Sequence, residues 1–136
     1  MADTPTLSLC VVHGQFAVCR LPASSHVALP DRPARLFSVT QTIDEVSVIC
    51  EVDLAPPGAR VESPFAAFRV EGTLDFSLVG ILHRLTAPLV APAISVVAVS
   101  TFDTDYLLVR ASRASDAAAA WRGAGFRVID PDVAPG

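Results

Sequence analysis

Polar and apolar residues alternate along the first part of the chain. From Thr6 to Val12, the apolar Leu7, Leu9 and Val11 alternate with Thr6, Ser8 and Cys10, the two-residue period of a half-buried strand. His13-Gly14 reads as a turn, and Gln15–Leu21 as a second strand run. Residues 22–35 hold three prolines and two serines, the composition of a loop. Leu36–Thr42 and Glu45–Val52 are two further strand runs, with Asp44-Glu45 at the turn between them. Asp53–Pro64 carries Pro56-Pro57-Gly58 and Ser63-Pro64, reads as a linker, and places a boundary near residue 63.

The second half changes rhythm. Phe65–Glu71 is a strand run, and Gly72–Ser77 bends into a helix from about Phe76 to Val90. That helix carries Leu78, Ile81, Leu82, Leu85 and Leu89 at three- and four-residue steps, and Pro88 bends its last turn. Ile94–Thr101 and Asp105–Val109 predict a hairpin. Ser112 caps a second helix through Ala117–Ala120 and Trp121, stopped by Gly123 or Gly125. Phe126–Ile129 is a last strand, before a Pro/Gly tail. From residue 65 the order is strand, helix, strand, strand, helix, strand, the split βαβ arrangement of the ferredoxin-like motif. The first half has a similar number of strands with weak helices and reads as a worn copy. The expected class is α+β: two ferredoxin-like βαββαβ units with antiparallel sheets and helices on one face. They span residues 1–62 and 63–130, followed by a flexible tail over 131–136. Units this small bury little surface alone, so the halves are expected to pack together and the chain to form a homodimer.

Composition removes several classes of function. Of the 136 residues, 51% are hydrophobic and 18% charged, which suits a packed core and not a disordered chain. The net charge is −4, and the ten basic residues are scattered arginines, so no nucleic-acid partner is expected. The longest apolar stretch, around residues 78–99, is broken by His83, Arg84, Pro88 and Pro92, and does not read as a membrane span. The start lacks the basic and long apolar regions of a secretory leader. Cys10, Cys19 and Cys50 lie in strand-like runs and read as small core residues of a cytoplasmic protein without disulfides. His13, His26 and His83 are scattered, and no nucleophile elbow, phosphate loop, dinucleotide fingerprint or metal-ligand spacing occurs. No catalytic residue, metal or cofactor is therefore expected.

One stretch stands apart. Residues 100–109, STFDTDYLLV, place Asp103 and Asp105 at the crest of an apolar hairpin. In a split βαβ unit the third strand lies between the first and second, so the bend at 72–77 and the crest at 100–105 share one sheet edge. A helix start at Phe76-Ser77-Leu78 offers free N–H groups to a carboxylate, and Gly72 allows close approach. Asp105, with Asp103 beside it, offers a carboxylate to an ammonium group, and Thr101, Thr104 and Ser77 add hydroxyls. The two seats together suit a free amino acid. Turn chemistry is the competing account of both aspartates, helix capping that of Asp75, and a hydrophobic staple that of Phe76.

The segments VEGTLDFSLVGILHRLTAPL and ISVVAVSTFDTDYLLV resemble a tandem ACT-domain protein of the small bacterial group related to CASTOR-type amino-acid sensors. The resemblance is strong over residues 68–129 and weaker over 7–62, where FAVCRLP and FSVTQT are similar to the family's first unit. It implies a non-enzymatic regulatory protein that binds a small ligand, usually an amino acid, at an interface between ACT units. The ligand contacts it implies are Asp75, Phe76, Ser77, Leu78, Ile81, Thr101, Phe102 and Asp105. Asp105 would hold the ammonium group and the Phe76–Leu78 amides the carboxylate. Two departures stand out. Leu78 replaces an acid of an arginine-sensing relative, which argues against a long cationic ligand, and Ala93 replaces a glycine that ends the helix. They motivate the alternative of a ligand-free dimerisation and interaction module. An enzyme using the acidic edge as a base is a third reading, without a nucleophile to support it.

Overall fold

A computed structural model describes residues 7–71 and 78–132. Its strands are β1 (Ser8–Pro22), β2 (Phe37–Gln41), β3 (Glu45–Glu51), β4 (Arg60–Val70), β5 (Val96–Ser100), β6 (Asp105–Arg110) and β7 (Arg127–Ile129). Among the described residues the α-helices are α1 (Ile81–Thr86) and α2 (Ala114–Gly123), with short 3-10 turns at Val52–Leu54, Ala87–Leu89 and Ala111–Arg113. The class is α+β and ferredoxin-like.

The chain divides into two compact units, one of residues 1–12 and 67–136 and the other of residues 13–66. In the first unit the strand order is β7-β1-β4-β6-β5. The third strand of the motif, β6, lies between β4 and β5, as the split βαβ pattern requires. β5 and β6 are antiparallel, from Val96 opposite Val109 to Ser100 opposite Asp105. β7 runs parallel to the start of β1, with Leu9 opposite Val128.

The core of this unit centres on Trp121, fully buried on α2. Its ring meets Phe68 of β4 edge-on, with centroids 4.9 Å apart. Its indole Nε1 donates to the carbonyl of Leu85 on α1 at 2.7 Å. One side chain thus joins both helices to the sheet. The α1 segment ends in a tight reversal. The Ala93 N–H donates to Val90 O and the Ile94 N–H to Leu89 O, at 3.0 and 2.9 Å. This places Ala93 at φ 58°, the left-handed region that favours glycine. The Arg113 guanidinium braces the reversal through Pro92 O at 2.9 Å.

The second unit has the order β2-β3-β1-β4. Its rows follow the register: Ala17, Cys50 and Phe37 side by side, then Cys19 and Val48, with the exposed Val39 at the edge. No α-helix covers them among the described residues. Val27, Leu54, Ala55 and Ala59 from the connecting loops pack there instead. Burial pushes the Cys50 thiol up to about 12, with Cys19, Glu51 and Asp53 adding to the rise, so it stays protonated and unreactive. Glu51 is buried, accepts the Arg35 N–H at 2.7 Å, and faces the Arg32 and Arg35 guanidinium groups at 3.7 Å.

Four local expectations change. Ser112 does not cap α2: it lies in the 3-10 turn Ala111–Arg113, and no side-chain hydrogen bond caps the helix. His13-Gly14 is not a turn. β1 runs through it, because Gly14 at φ 107° absorbs the bend inside one strand. Ser63-Pro64 is no linker but part of β4, which begins at Arg60. The first helix is shorter than its leucine spacing suggests: Leu78 and Val79 lie outside it, and Gly80 at φ 80° precedes its first turn. A left-handed residue cannot continue an α-helix, so the periodicity at Leu78 is not helical. The helix start expected at Phe76-Ser77 and the tail from residue 133 lie outside the described residues.

Replacing Trp121 by Phe keeps most of the packing but leaves the buried Leu85 carbonyl without its donor. We expect a loss of about 1–3 kcal/mol, measured by urea unfolding. Ala93→Gly should act in the opposite direction. Left-handed backbone costs alanine about 1–2 kcal/mol, and glycine's greater unfolded-state freedom offsets about half of that. A gain of roughly 0.5–1 kcal/mol in the same assay is the expected outcome.

Candidate functional site

The hairpin between β5 and β6 is closed by threonines, not by aspartates. The Thr101 N–H donates to Thr104 O at 2.8 Å, and the Thr101 hydroxyl donates to the same carbonyl at 3.0 Å. The Thr104 N–H donates back to Thr101 Oγ1 at 3.2 Å. Thr104 itself is buried, and its hydroxyl donates to Val70 O on β4 at 2.9 Å. The turn is therefore tied to itself and to the sheet. Asp105 follows as the first residue of β6, half-buried, with Oδ1 accepting the Ser100 hydroxyl at 2.6 Å across the last rung of the ladder. An ionised carboxylate accepts several hydrogen bonds, so this one orients the group without exhausting it.

A cavity of about 330 Å³ opens beside this hairpin, between Ser100–Asp105 on one side and Leu78 with Gly80–His83 on the other. Its size suits an amino-acid-sized molecule. It brings together five of the residues read from the sequence: Leu78, Ile81, Thr101, Phe102 and Asp105. Asp75, Phe76 and Ser77 lie outside the described residues. Two hydroxyls change role. Thr101 lines the cavity but its hydroxyl serves the turn, and the Thr104 hydroxyl serves the sheet.

Sequence reading missed Ser100, Leu82 and His83 as members of the wall. The signal for Ser100 was available, because the hairpin register sets it opposite Asp105. Leu82 was read as a core position from the leucine spacing, yet it is 42% exposed, because a helix this short buries little beyond Leu85 and Leu89. In the second unit a separate cavity of about 360 Å³ is lined by the loop around His26–Pro30, by Phe37 and by Asp53–Pro57. Asp53 there is held by Arg32 at 2.9 Å. Among the described residues no cluster of three potential metal ligands occurs, and no helix is long and apolar enough to cross a membrane.

Residues 60–122 match the family model described as the ACT domain. The chain thus contains an ACT domain. It is similar throughout to protein Atu0741 of Agrobacterium tumefaciens, with 30% identity, a TM-score of 0.83, and 98% of this chain and 99% of that one covered. The chain belongs to the same family as that protein. It also shares its fold with VC0802 of Vibrio cholerae, a possible transport protein, at 16% identity and a TM-score of 0.67, over 88% of this chain and 91% of that one. The regulatory subunit of aspartate kinase from Thermus flavus is a more distant fold relative, at 12% identity and a TM-score of 0.57, over 88% and 97% of the two chains. No curated protein matches the chain.

Thr104→Val would keep the shape of the turn residue and delete the bond to Val70 O. Removing that buried donor should cost about 1–3 kcal/mol in chemical denaturation.

Proposed function

We propose that the chain is a non-enzymatic regulatory protein that binds a free amino acid in the cavity beside the β5–β6 hairpin. The observation that carries this reading is Asp105: a half-buried carboxylate, oriented by Ser100, at the wall of a cavity of about 330 Å³. A carboxylate held in place is a seat for an ammonium group. The ACT domain over residues 60–122 supports a regulatory role, because such domains bind small molecules and report on them. The ligand's carboxylate is assigned to the Phe76–Leu78 amides, with Asp75, Ser77, Ile81, Thr101 and Phe102 as the further contacts.

The second unit, whose strands follow the same β2-β3-β1-β4 logic with loops for helices, is read as a degenerate ACT-like partner of the first. The signal leaves the protein through the packing of a homodimer, at an interface between ACT units. Three free cysteines suit the reducing cytoplasm.

A thermal-shift screen of the purified protein against the common amino acids tests this. A ligand at 100 times its dissociation constant adds about 2.7 kcal/mol, which raises the melting point by several degrees in a chain of this size. One or more amino acids should produce the shift, and Asp105→Ala should abolish it without lowering the ligand-free melting point by more than a few degrees. A shift that persists in the variant removes Asp105 from the site. No shift with any amino acid removes the sensor reading and favours an interaction module.

A further inference from the structure

The cavity wall has a chemistry of its own, independent of the ammonium seat. Its apolar members are Leu78, Ile81, Leu82 and Phe102. Three of them are unusually open for large apolar side chains: Leu78 is 44% exposed, Leu82 42% and Phe102 79%. Such residues scattered singly over a surface mean little, but here they stand together around one concavity, where a ligand would take them out of water. The charged members among the described residues are Asp103 and Asp105, with His83 beside them; no arginine lines the cavity. Both carboxylates sit at the hairpin end, whereas Leu78, Ile81 and Leu82 form the opposite wall.

We infer that the ligand's side chain is apolar and uncharged, in the range from leucine to phenylalanine. This rests on the reading of the cavity as an amino-acid site and names the class of amino acid. With the ammonium group at Asp105, the side chain extends toward Leu78, Ile81 and Leu82, and the exposed Phe102 ring closes over it. An acidic side chain meets two carboxylates and no arginine among the described residues of this wall, and is repelled. A cationic side chain leaves its charge against leucines, away from Asp103, and pays desolvation without a partner. Glycine and alanine fill only the ammonium end and leave the apolar wall wet.

Calorimetric titration of the full chain with leucine, methionine, phenylalanine, glycine, aspartate, glutamate, lysine and arginine decides the matter. Burial of several carbons against an apolar wall predicts that leucine, methionine or phenylalanine binds about tenfold or more tighter than glycine, with no heat from aspartate or glutamate. Phe102→Ala and Leu82→Ser alter exposed positions and should leave the fold intact by circular dichroism. Each should weaken leucine by about fivefold or more and leave glycine nearly unchanged. If lysine, arginine or an acidic amino acid binds more tightly than leucine, and Asp105→Ala abolishes that binding, the inference fails while the sensor reading stands. Equal affinity for leucine and glycine, or leucine binding indifferent to both wall variants, also overturns it. If no amino acid binds, the sensor reading itself fails, and the inference with it.

Discussion

The hydrogen bond from Trp121 to the carbonyl of Leu85, with the edge contact of the same indole on Phe68, is the constraint on which the ACT unit depends. α1 is six residues long, and no side-chain hydrogen bond caps its N-terminus. A helix that short is not stable by propensity and exists because tertiary packing holds it. The indole supplies that packing from one side, and Leu85 and Leu89, both buried, supply it from the other. Since α1 carries one wall of the cavity, the position of Ile81, Leu82 and His83 is set from the core outward, through Trp121.

The other wall is fixed by a different device. A hairpin crest that served only as a turn would need glycine, asparagine or aspartate to satisfy its backbone. Here the Thr101 and Thr104 hydroxyls do so, and Thr104 also anchors the crest to Val70. This releases both aspartates from turn duty. Asp105, opposite Ser100 on the ladder, is held instead by a bond that fixes its orientation. The cavity is therefore bounded by a hairpin closed by threonine hydrogen bonds and by a short helix entered through the left-handed Gly80.

Much of this was legible in the sequence, for identifiable reasons. The hairpin around residues 100–105 was readable because continuous apolar runs flank a polar crest on both sides. The helix carrying Trp121 was readable because alanines, a single large aromatic and terminal glycines leave few alternatives. Two of the errors share one cause: a local signal was overruled by the sheet. His13-Gly14 and Ser63-Pro64 are turn dipeptides by composition, yet both lie inside long strands, β1 and β4, whose neighbours continue to pair past them. The leucine rhythm through Leu78 and Leu82 suggested a longer helix, but Gly80 in the left-handed region interrupts it. Those leucines then lie open at the cavity, so the misread periodicity was itself the trace of the site's apolar wall. The departure at Ala93, by contrast, was legible: a residue at φ 58° is where glycine is expected, and the chain keeps alanine there at a cost.

The second unit shows why a shared strand order does not carry a shared site. Its order, β2-β3-β1-β4, parallels β5-β6-β4 in the first unit up to the strand that follows. Its connections, however, are loops, so no helix stands across from a hairpin crest among the described residues. The turn between β2 and β3 is likewise closed by a threonine hydroxyl, Thr42, which bonds Asp44, Glu45 and the Glu45 carbonyl. What differs is the opposing wall. Ile43 at that crest is 95% exposed, and the loop residues Val27, Leu54 and Ala55 pack on the sheet and not at the crest. Two acids of this unit are also engaged: Glu51 faces Arg32 and Arg35, and Asp53 is paired with Arg32. A carboxylate already neutralised by arginine has little left to offer an ammonium group.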